Sequence, residues 1–161
     1  MAELYVCASA SVSAPPEGVW ELVSDTTRYA EWVASTDAVT RSDGPAREGS
    51  TYDEINPILG PWKAKSRWTV TELDAPRRQV HRGEGLPLTR TFEVIMEVGP
   101  VGDSASEVTI TLRGTSSAGP LGSLFVTAMR GQVARDNRRS VQRLAELVTV
   151  ELSAAPGVSA A

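Results

Sequence analysis

The chain has 161 residues, of which 41% are hydrophobic, and a net charge of −4. This length and apolar content predict a single domain with a substantial core. The acidic balance argues against nucleic acid as the main partner, because phosphate binding needs a clear basic excess. No apolar run reaches the ~20 residues of a membrane span, and the first residues lack a basic region followed by an apolar core. These features predict a cytoplasmic protein with no membrane span.

Cysteine and histidine usage narrows the chemistry further. Cys7 is the single cysteine, and it forms no metal-ligand spacing with His81, the single histidine. We therefore expect neither a metal nor a cofactor. His81 lies in a strand-like run whose alternation does not define its facing, and we interpret it as a surface residue. No nucleophile-elbow motif accompanies it, which argues against hydrolase chemistry.

The first part of the chain predicts one strand and two short helices. Residues 4–13 are rich in small and β-branched types and stop at a pair of prolines, which is typical of a strand followed by a helix start. A second helix is predicted over about 26–34. Its Tyr29 and Trp32 are three residues apart and so share a face, where they either cap a cavity or anchor the helices.

Residues 38–117 contain turn signals every 8–15 residues, and the segments between them read as strands. Between Trp62 and Val70, apolar and small residues alternate with charged residues and a threonine in strict period two, which predicts that Trp62, Ser66 and Trp68 face inward. The short connections favour an antiparallel meander with one solvated face. Both tryptophans either fill the core or form a flat wall for a ligand.

Two other strands carry candidate binding residues. Arg90, Phe92 and Met96 alternate on one side of a later strand, although Arg90 lies near a turn and a solvent-facing position explains it more simply. Tyr52 and Glu54 share one side of the strand near residues 50–57. We interpret this strand as an edge with both sides partly solvated. If the Tyr52 side faces inward, burial would raise the pKa of Glu54 towards the range of a general acid.

The segment from Pro120 to about Val150 has the period of an amphipathic helix. Its predicted apolar stripe consists of Leu121, Leu124, Phe125, Ala128, Met129, Val133, Val141, Leu144 and Val148. A single helix across a curved sheet is expected to leave a cavity suited to a small molecule. Asn137 interrupts the stripe, and it either hydrogen-bonds to nearby backbone or contacts a ligand.

Three segments of the sequence resemble one known family. They are residues 14–20 at the start of the first helix, 25–32 in the second, and 68–78 at a strand and its hairpin. Over about residues 4–150 the chain resembles the SRPBCC superfamily of START-like, birch-allergen-like proteins, in its polyketide cyclase/dehydrase-like branch. The resemblance implies an α+β helix-grip fold, in which a curved antiparallel seven-stranded sheet, two short helices and a long C-terminal helix enclose an apolar pocket. We assign residues 1–150 to this domain and 151–161 to a disordered tail.

The resemblance leaves two functional hypotheses. In the first, the pocket binds a polyketide-like or lipid-like molecule, as a carrier or a sequestering resistance protein. In the second, it is an aromatase/cyclase or dehydratase acting on a poly-β-ketone. Similar cyclases carry tryptophans, a serine and an arginine on the strand matched by Trp62 and Ser66, but Trp68 stands where the arginine would be, and Arg90 is the alternative cation. The candidate ligand-binding residues are Trp32, Tyr52, Trp62, Ser66, Trp68, Arg90, Phe92, Met96, Phe125, Met129, Val133 and Asn137.

Overall fold

The computed structural model describes residues 1–117 and 119–155. Its strands are β1 (Glu3–Val12), β2 (Ala38–Ser42), β3 (Thr51–Leu59), β4 (Trp62–Asp74), β5 (Arg78–Glu84), β6 (Thr89–Val101) and β7 (Ala105–Ser116). Its helices are α1 (Pro16–Val23), α2 (Tyr29–Trp32), which follows a 3₁₀ turn at Thr26–Arg28, and α3 (Pro120–Ala154).

The seven strands form one antiparallel sheet in the order β1-β7-β6-β5-β4-β3-β2. The strands after α2 thus form a meander, and β1 pairs with β7 and forms the edge opposite β2 in an open sheet. Register shifts interrupt four of the ladders, and such bulges bend strands and increase their twist. α3 packs mainly against β1 and β7, so it covers one side of the sheet's inner face.

The two short helices close one end of the sheet. Pro16 occupies the first turn of α1, where its missing N–H leaves no hydrogen bond unmade. The Asp25 carboxylate accepts a hydrogen bond from the Thr27 backbone N–H at 3.1 Å and starts the next turn. Tyr29 and Trp32 are completely buried against the core. Both helices are where the sequence places them, although α2 is shorter than predicted.

The predicted facing of β4 is confirmed. Ser66 and Trp68 are buried, whereas Lys65 and Arg67 are exposed. The charged residues therefore lie on the solvated face, as the period-two alternation requires.

The predicted stripe of α3 is correct for its second half only. Val141, Leu144 and Val148 are buried, but Leu121 and Leu124 are 72% and 68% exposed, and Ala128 is exposed as well. The helix also continues to Ala154, so residues 151–154 of the predicted disordered tail are helical. Residues 156–161 of that tail lie outside the described residues.

In the described part of the chain, no helix is both long and apolar enough to cross a lipid bilayer.

Asn137 joins α3 to the sheet. It is 3% exposed, and its Nδ2 donates a hydrogen bond of 2.8 Å to the backbone carbonyl of Ile110 in β7. The backbone interpretation of Asn137 is therefore correct, although its side chain also lines the cavity described below. A buried amide with this partner fixes the rotation of α3 over the sheet.

We predict that Asn137→Leu lowers the free energy of unfolding by about 1–3 kcal/mol, because leucine has no N–H for the Ile110 carbonyl. Urea denaturation of the variant and the wild type measures this change. Arg138→Leu is the control, because Arg138 is the next residue along α3 and is exposed. This substitution should change stability by less than about 0.5 kcal/mol. Equal stability of Asn137→Leu and wild type would show that the hydrogen bond does not brace the helix.

Candidate functional site

A cavity of about 150 Å³, partly open to solvent, lies between α3 and the inner face of the sheet. Residues from α2, β3, β4, β6, β7 and α3 line it. Nine of the residues expected from the sequence do so: Trp32, Tyr52, Trp68, Phe92, Met96, Phe125, Met129, Val133 and Asn137. The apolar stretch of α3 that does not enter the compact core thus forms one wall of the cavity.

An aromatic wall forms the opposite side. Tyr52 in β3 pairs with Trp68 in β4, and their rings stack with centroids 6.3 Å apart and an interplanar angle of 10°. Phe92 meets the Trp68 ring edge-on at 5.8 Å. Trp68 also pairs with Gly83 in β5, where a Cβ would lie 2.8 Å from the indole. Glycine therefore leaves the space in which the Trp68 ring lies on the sheet.

A chain of hydrogen bonds runs along the same wall. The Trp68 indole Nε1 donates to Ser66 Oγ at 2.8 Å, and the Ser66 hydroxyl donates to Asn56 Oδ1. Asn56 Nδ2 then donates to Glu54 Oε2 at 3.1 Å and to the Ser35 carbonyl at 2.9 Å. An indole N–H can only donate, so Ser66 Oγ accepts from Trp68 and donates its own proton to Asn56 Oδ1. The Asn56 amide is thereby oriented with its N–H towards Glu54.

The Glu54 carboxyl ends this chain inside an apolar cavity. Glu54 is 4% exposed, and burial raises its pKa from 4.5 to about 7, although the hydrogen bond from Asn56 opposes the shift. Thr36 lies near enough to lower the pKa of Glu54, yet its hydroxyl makes no well-formed hydrogen bond among the described residues. Glu54 therefore exchanges its proton near neutral pH.

The interpretation of the 50–57 strand as an edge with two solvated sides was wrong. β2 pairs with β3 and covers its outer edge, and Tyr52, Glu54 and Asn56 are all buried. The sequence lacked a signal for this because the inward side of β3 carries polar residues, which the alternation rule assigns to solvent.

His81 was wrongly interpreted as a surface residue. It is completely buried, and its Nδ1 lies 2.8 Å from the Tyr52 hydroxyl. Burial lowers its pKa from 6.5 to about 3, so the ring is neutral at physiological pH. Residues 79–81 are all buried, next to a register shift between β4 and β5. Because three successive residues are buried, period-two alternation could not show that His81 faces inward.

Trp62, Ser66 and Arg90 are candidate residues that do not line the cavity, and the solvent-facing interpretation of Arg90 is correct. Trp62 lies on the helix side of β4, where its ring contacts Phe125 at 6.3 Å, but it follows the β3–β4 turn and is 47% exposed. Arg90 is exposed because it lies at a register shift between β6 and β7, which removes it from the inward series of Phe92 and Met96.

Other polar side chains at the cavity were not identified from the sequence. The indole N–H of Trp32 is buried and has no hydrogen-bond partner among the described residues. Asp136 of α3 also lines the cavity, and partial burial raises its pKa against the opposing effect of Arg139. Across residues 1–117 and 119–155, no three His, Cys, Asp or Glu side chains are grouped to hold a metal ion.

The family model described as "Polyketide cyclase / dehydrase and lipid transport" matches residues 5–149, and the chain belongs to that family. The resemblance to the polyketide cyclase-like branch of the SRPBCC superfamily is thus confirmed. An uncharacterized protein of Mycobacterium tuberculosis is 30% identical over 142 residues, which are 86% of this chain and 94% of that protein. A protein of the same organism that is named a toxin is 27% identical over 128 residues, or 78% of this chain and 87% of that one.

Solved structures confirm the helix-grip fold. The Zhui aromatase/cyclase of Streptomyces sp. R1128 superposes with a TM-score of 0.80, covering 98% of this chain and 100% of that chain at 16% identity. Truncated norcoclaurine synthase of Thalictrum flavum superposes with a TM-score of 0.67, covering 91% and 94% at 12% identity. At these identities the likeness establishes the fold and leaves the function open.

We predict that Glu54→Gln stabilises the protein at pH 8 and has little effect at pH 4. The raised pKa means that the folded protein keeps the Glu54 proton to higher pH than the unfolded chain, so wild-type stability falls as pH rises from 4.5 to about 7. The full shift corresponds to at most about 3 kcal/mol. Glutamine has no proton to lose and avoids this decrease.

Urea denaturation at several pH values measures the difference between Glu54→Gln and wild type. Glu107→Gln, an exposed carboxyl in β7, controls for the loss of one negative charge. A difference that does not grow between pH 4 and pH 8 would contradict the raised pKa.

Proposed function

We propose that the protein binds a hydrophobic, ring-containing small molecule, polyketide-like or lipid-like, in the cavity beneath α3, as a carrier or a sequestering protein. The observation that supports this most directly is the stacked pair of Tyr52 and Trp68 facing the apolar side chains of α3. Flat aromatic surfaces bind planar rings by dispersion and offset stacking. Pockets of this kind, mostly apolar with a few convergent polar groups, are typical ligand sites.

The size of the cavity limits the ligand. A dry apolar cavity of about 150 Å³ in another protein binds benzene, so the present space encloses about one ring, and a second ring would extend towards the partly open side. A longer chain would extend past Phe125, a lining residue whose ring contacts the exposed Trp62, and Leu121 and Leu124 are exposed on the same helix as Phe125. These residues offer apolar surface to the part of a ligand that does not fit inside.

A second candidate function is catalysis on a poly-β-ketone, as an aromatase/cyclase or dehydratase. Glu54 favours it, because a carboxyl with a pKa of about 7 is suited to proton transfer at neutral pH. An enzyme would convert a short poly-β-ketone thioester with a pH profile that changes near pH 7, and Glu54→Gln would abolish that turnover. If the wild type bound the thioester tightly without turnover, only the binding function would be supported.

We predict that Gly83→Ala weakens the binding of 2-ethylnaphthalene, a two-ring hydrocarbon probe. The added Cβ would lie 2.8 Å from the Trp68 ring and must push the indole towards the cavity. Displacement of a stacking residue is expected to weaken binding by about 1–3 kcal/mol. Quenching of tryptophan fluorescence by the probe measures the affinity.

Gly99→Ala is the matched control, since it adds the same methyl group to a strand where nothing lies within 4 Å of the new Cβ. Circular dichroism verifies that both variants are folded. Equal affinities of the two variants would place the probe outside the aromatic wall, and a wild type that does not bind the probe would refute the proposed function.

A further inference from the structure

The hydrogen-bond chain fixes how the Glu54 carboxyl is presented to the cavity. Because Asn56 Nδ2 donates to Oε2, a protonated Glu54 must carry its proton on Oε1, away from that N–H. Glu54 lines the cavity, so its proton, when present, is available to a ligand. Trp68, Ser66 and Asn56 thus orient Glu54 as a hydrogen-bond donor.

The charges around the cavity disfavour an anionic head group on the ligand. The described lining residues include two carboxyls, Glu54 and Asp136, and no lysine, arginine or histidine. A carboxylate or phosphate on the ligand would find no counter-ion there. An ammonium group would pair with an ionised Glu54 or Asp136, but it brings only donors and supplies no acceptor for the unpartnered N–H of Trp32.

The polar groups without partners favour a ligand that accepts hydrogen bonds. Trp32 Nε1 and Thr36 Oγ1 are both buried and unpartnered within the described residues, and both side chains line the cavity. An indole is a donor only, whereas the Thr36 hydroxyl both donates and accepts and lies beside Glu54, so it adds no surplus of donors. Together with protonated Glu54, the N–H of Trp32 gives the polar side of the cavity a surplus of donors.

We propose that the ligand is neutral and carries a carbonyl oxygen, and that protonated Glu54 donates a hydrogen bond to this oxygen while the ligand's ring stacks on Trp68. This inference rests on the proposed binding function and specifies the ligand class of the same cavity. It makes Glu54 a residue that selects for ketones over hydrocarbons of equal shape, and it makes that selectivity depend on pH.

The other titratable groups near Glu54 are few. Tyr29 from α2 and Tyr52 from β3 interact with its charge, and burial raises the pKa of both, so they remain neutral through the neutral range. His81, bonded to Tyr52, is neutral above about pH 3. The neighbouring strands place Val39 and Ser66 opposite Glu54. Asp136 of α3 is the remaining group that can titrate and therefore needs its own control.

The test compares four naphthalene probes of similar size: 2-acetylnaphthalene, 2-ethylnaphthalene, 1-(2-naphthyl)ethylamine and 2-naphthoate. Calorimetric titration at pH 6 and pH 8.5 gives the affinities. We expect the wild type to prefer the ketone over the hydrocarbon by about 2- to 10-fold at pH 6, the effect of one hydrogen bond. At pH 8.5, where Glu54 is ionised, this preference should disappear. The amine and the naphthoate should bind less tightly than the ketone at pH 6.

Three variants assign the effect to one side chain. Glu54→Gln keeps an N–H directed into the cavity, so its ketone preference should persist at both pH values. Glu54→Leu should show no ketone preference at either pH. Asp136→Asn should behave as the wild type does.

Each other outcome overturns the inference. A wild type that binds ketone and hydrocarbon equally at pH 6, a ketone preference that survives in Glu54→Leu, or a tighter amine would refute the role of Glu54. Loss of the pH dependence in Asp136→Asn would show that Asp136 of α3, and not Glu54, causes the pH-dependent ketone preference. If the hydrocarbon binds and the ketone is not preferred, only this inference fails. If neither binds the wild type, the proposed function fails with it.

Discussion

A single helix cannot cover the inner face of a seven-stranded sheet, and the site depends on this mismatch. Strands lie about 4.8 Å apart, so seven of them span about 29 Å, whereas a helix with its side chains is about 10 Å wide. α3 packs on β1 and β7 and reaches β3 through a hydrogen bond of 3.3 Å from Gln132 to the Ile58 carbonyl. Trp32 of α2 and Thr36 of the following loop line the space between these two contacts, and the cavity is what remains of it.

The polar groups within this cavity are ordered by the protein itself. Trp68 belongs both to the aromatic wall and to the hydrogen-bond chain, since its ring stacks on Tyr52 while its N–H bonds to Ser66. Hydrogen bonds that point the same way polarise one another. The orientation of Glu54 therefore does not depend on a bound ligand, and a rotation of the Trp68 ring would disturb the wall and the carboxyl together.

Much of the architecture could be predicted from the sequence because it follows from periodicity. The alternation from Trp62 to Val70 gave the facing of Ser66 and Trp68, and the period of α3 gave its position. Exceptions to the alternation lie where local geometry breaks the period. A turn exposes Trp62, and a register shift turns Arg90 outward.

The candidate site was harder to predict because its polar residues are buried. Tyr52 was named as a candidate, but the facing of β3 was assigned wrongly because Glu54 and Asn56 resemble a solvated strand. Only the hydrogen bonds to Ser66 and Ser35 explain how these residues tolerate burial. Those bonds join residues that are ten to twenty-one positions apart, and no pattern within one strand reveals them.

Glu54 and His81 are two buried titratable groups near Tyr52, and they differ in whether a ligand can contact them. Burial destabilises the charged form of each group, so the pKa of Glu54 is raised and that of His81 is lowered. Between about pH 4.5 and 6.5 their effects on stability therefore oppose each other, because a rise in pH favours folding through His81 and disfavours it through Glu54. His81 bonds to Tyr52 within the core and is not among the cavity-lining residues, whereas Glu54 faces the cavity. A ligand can therefore form a hydrogen bond with Glu54 but not with His81. Glu54 lowers the stability of the empty protein at neutral pH, and a hydrogen bond from Glu54 to a ligand would offset this loss.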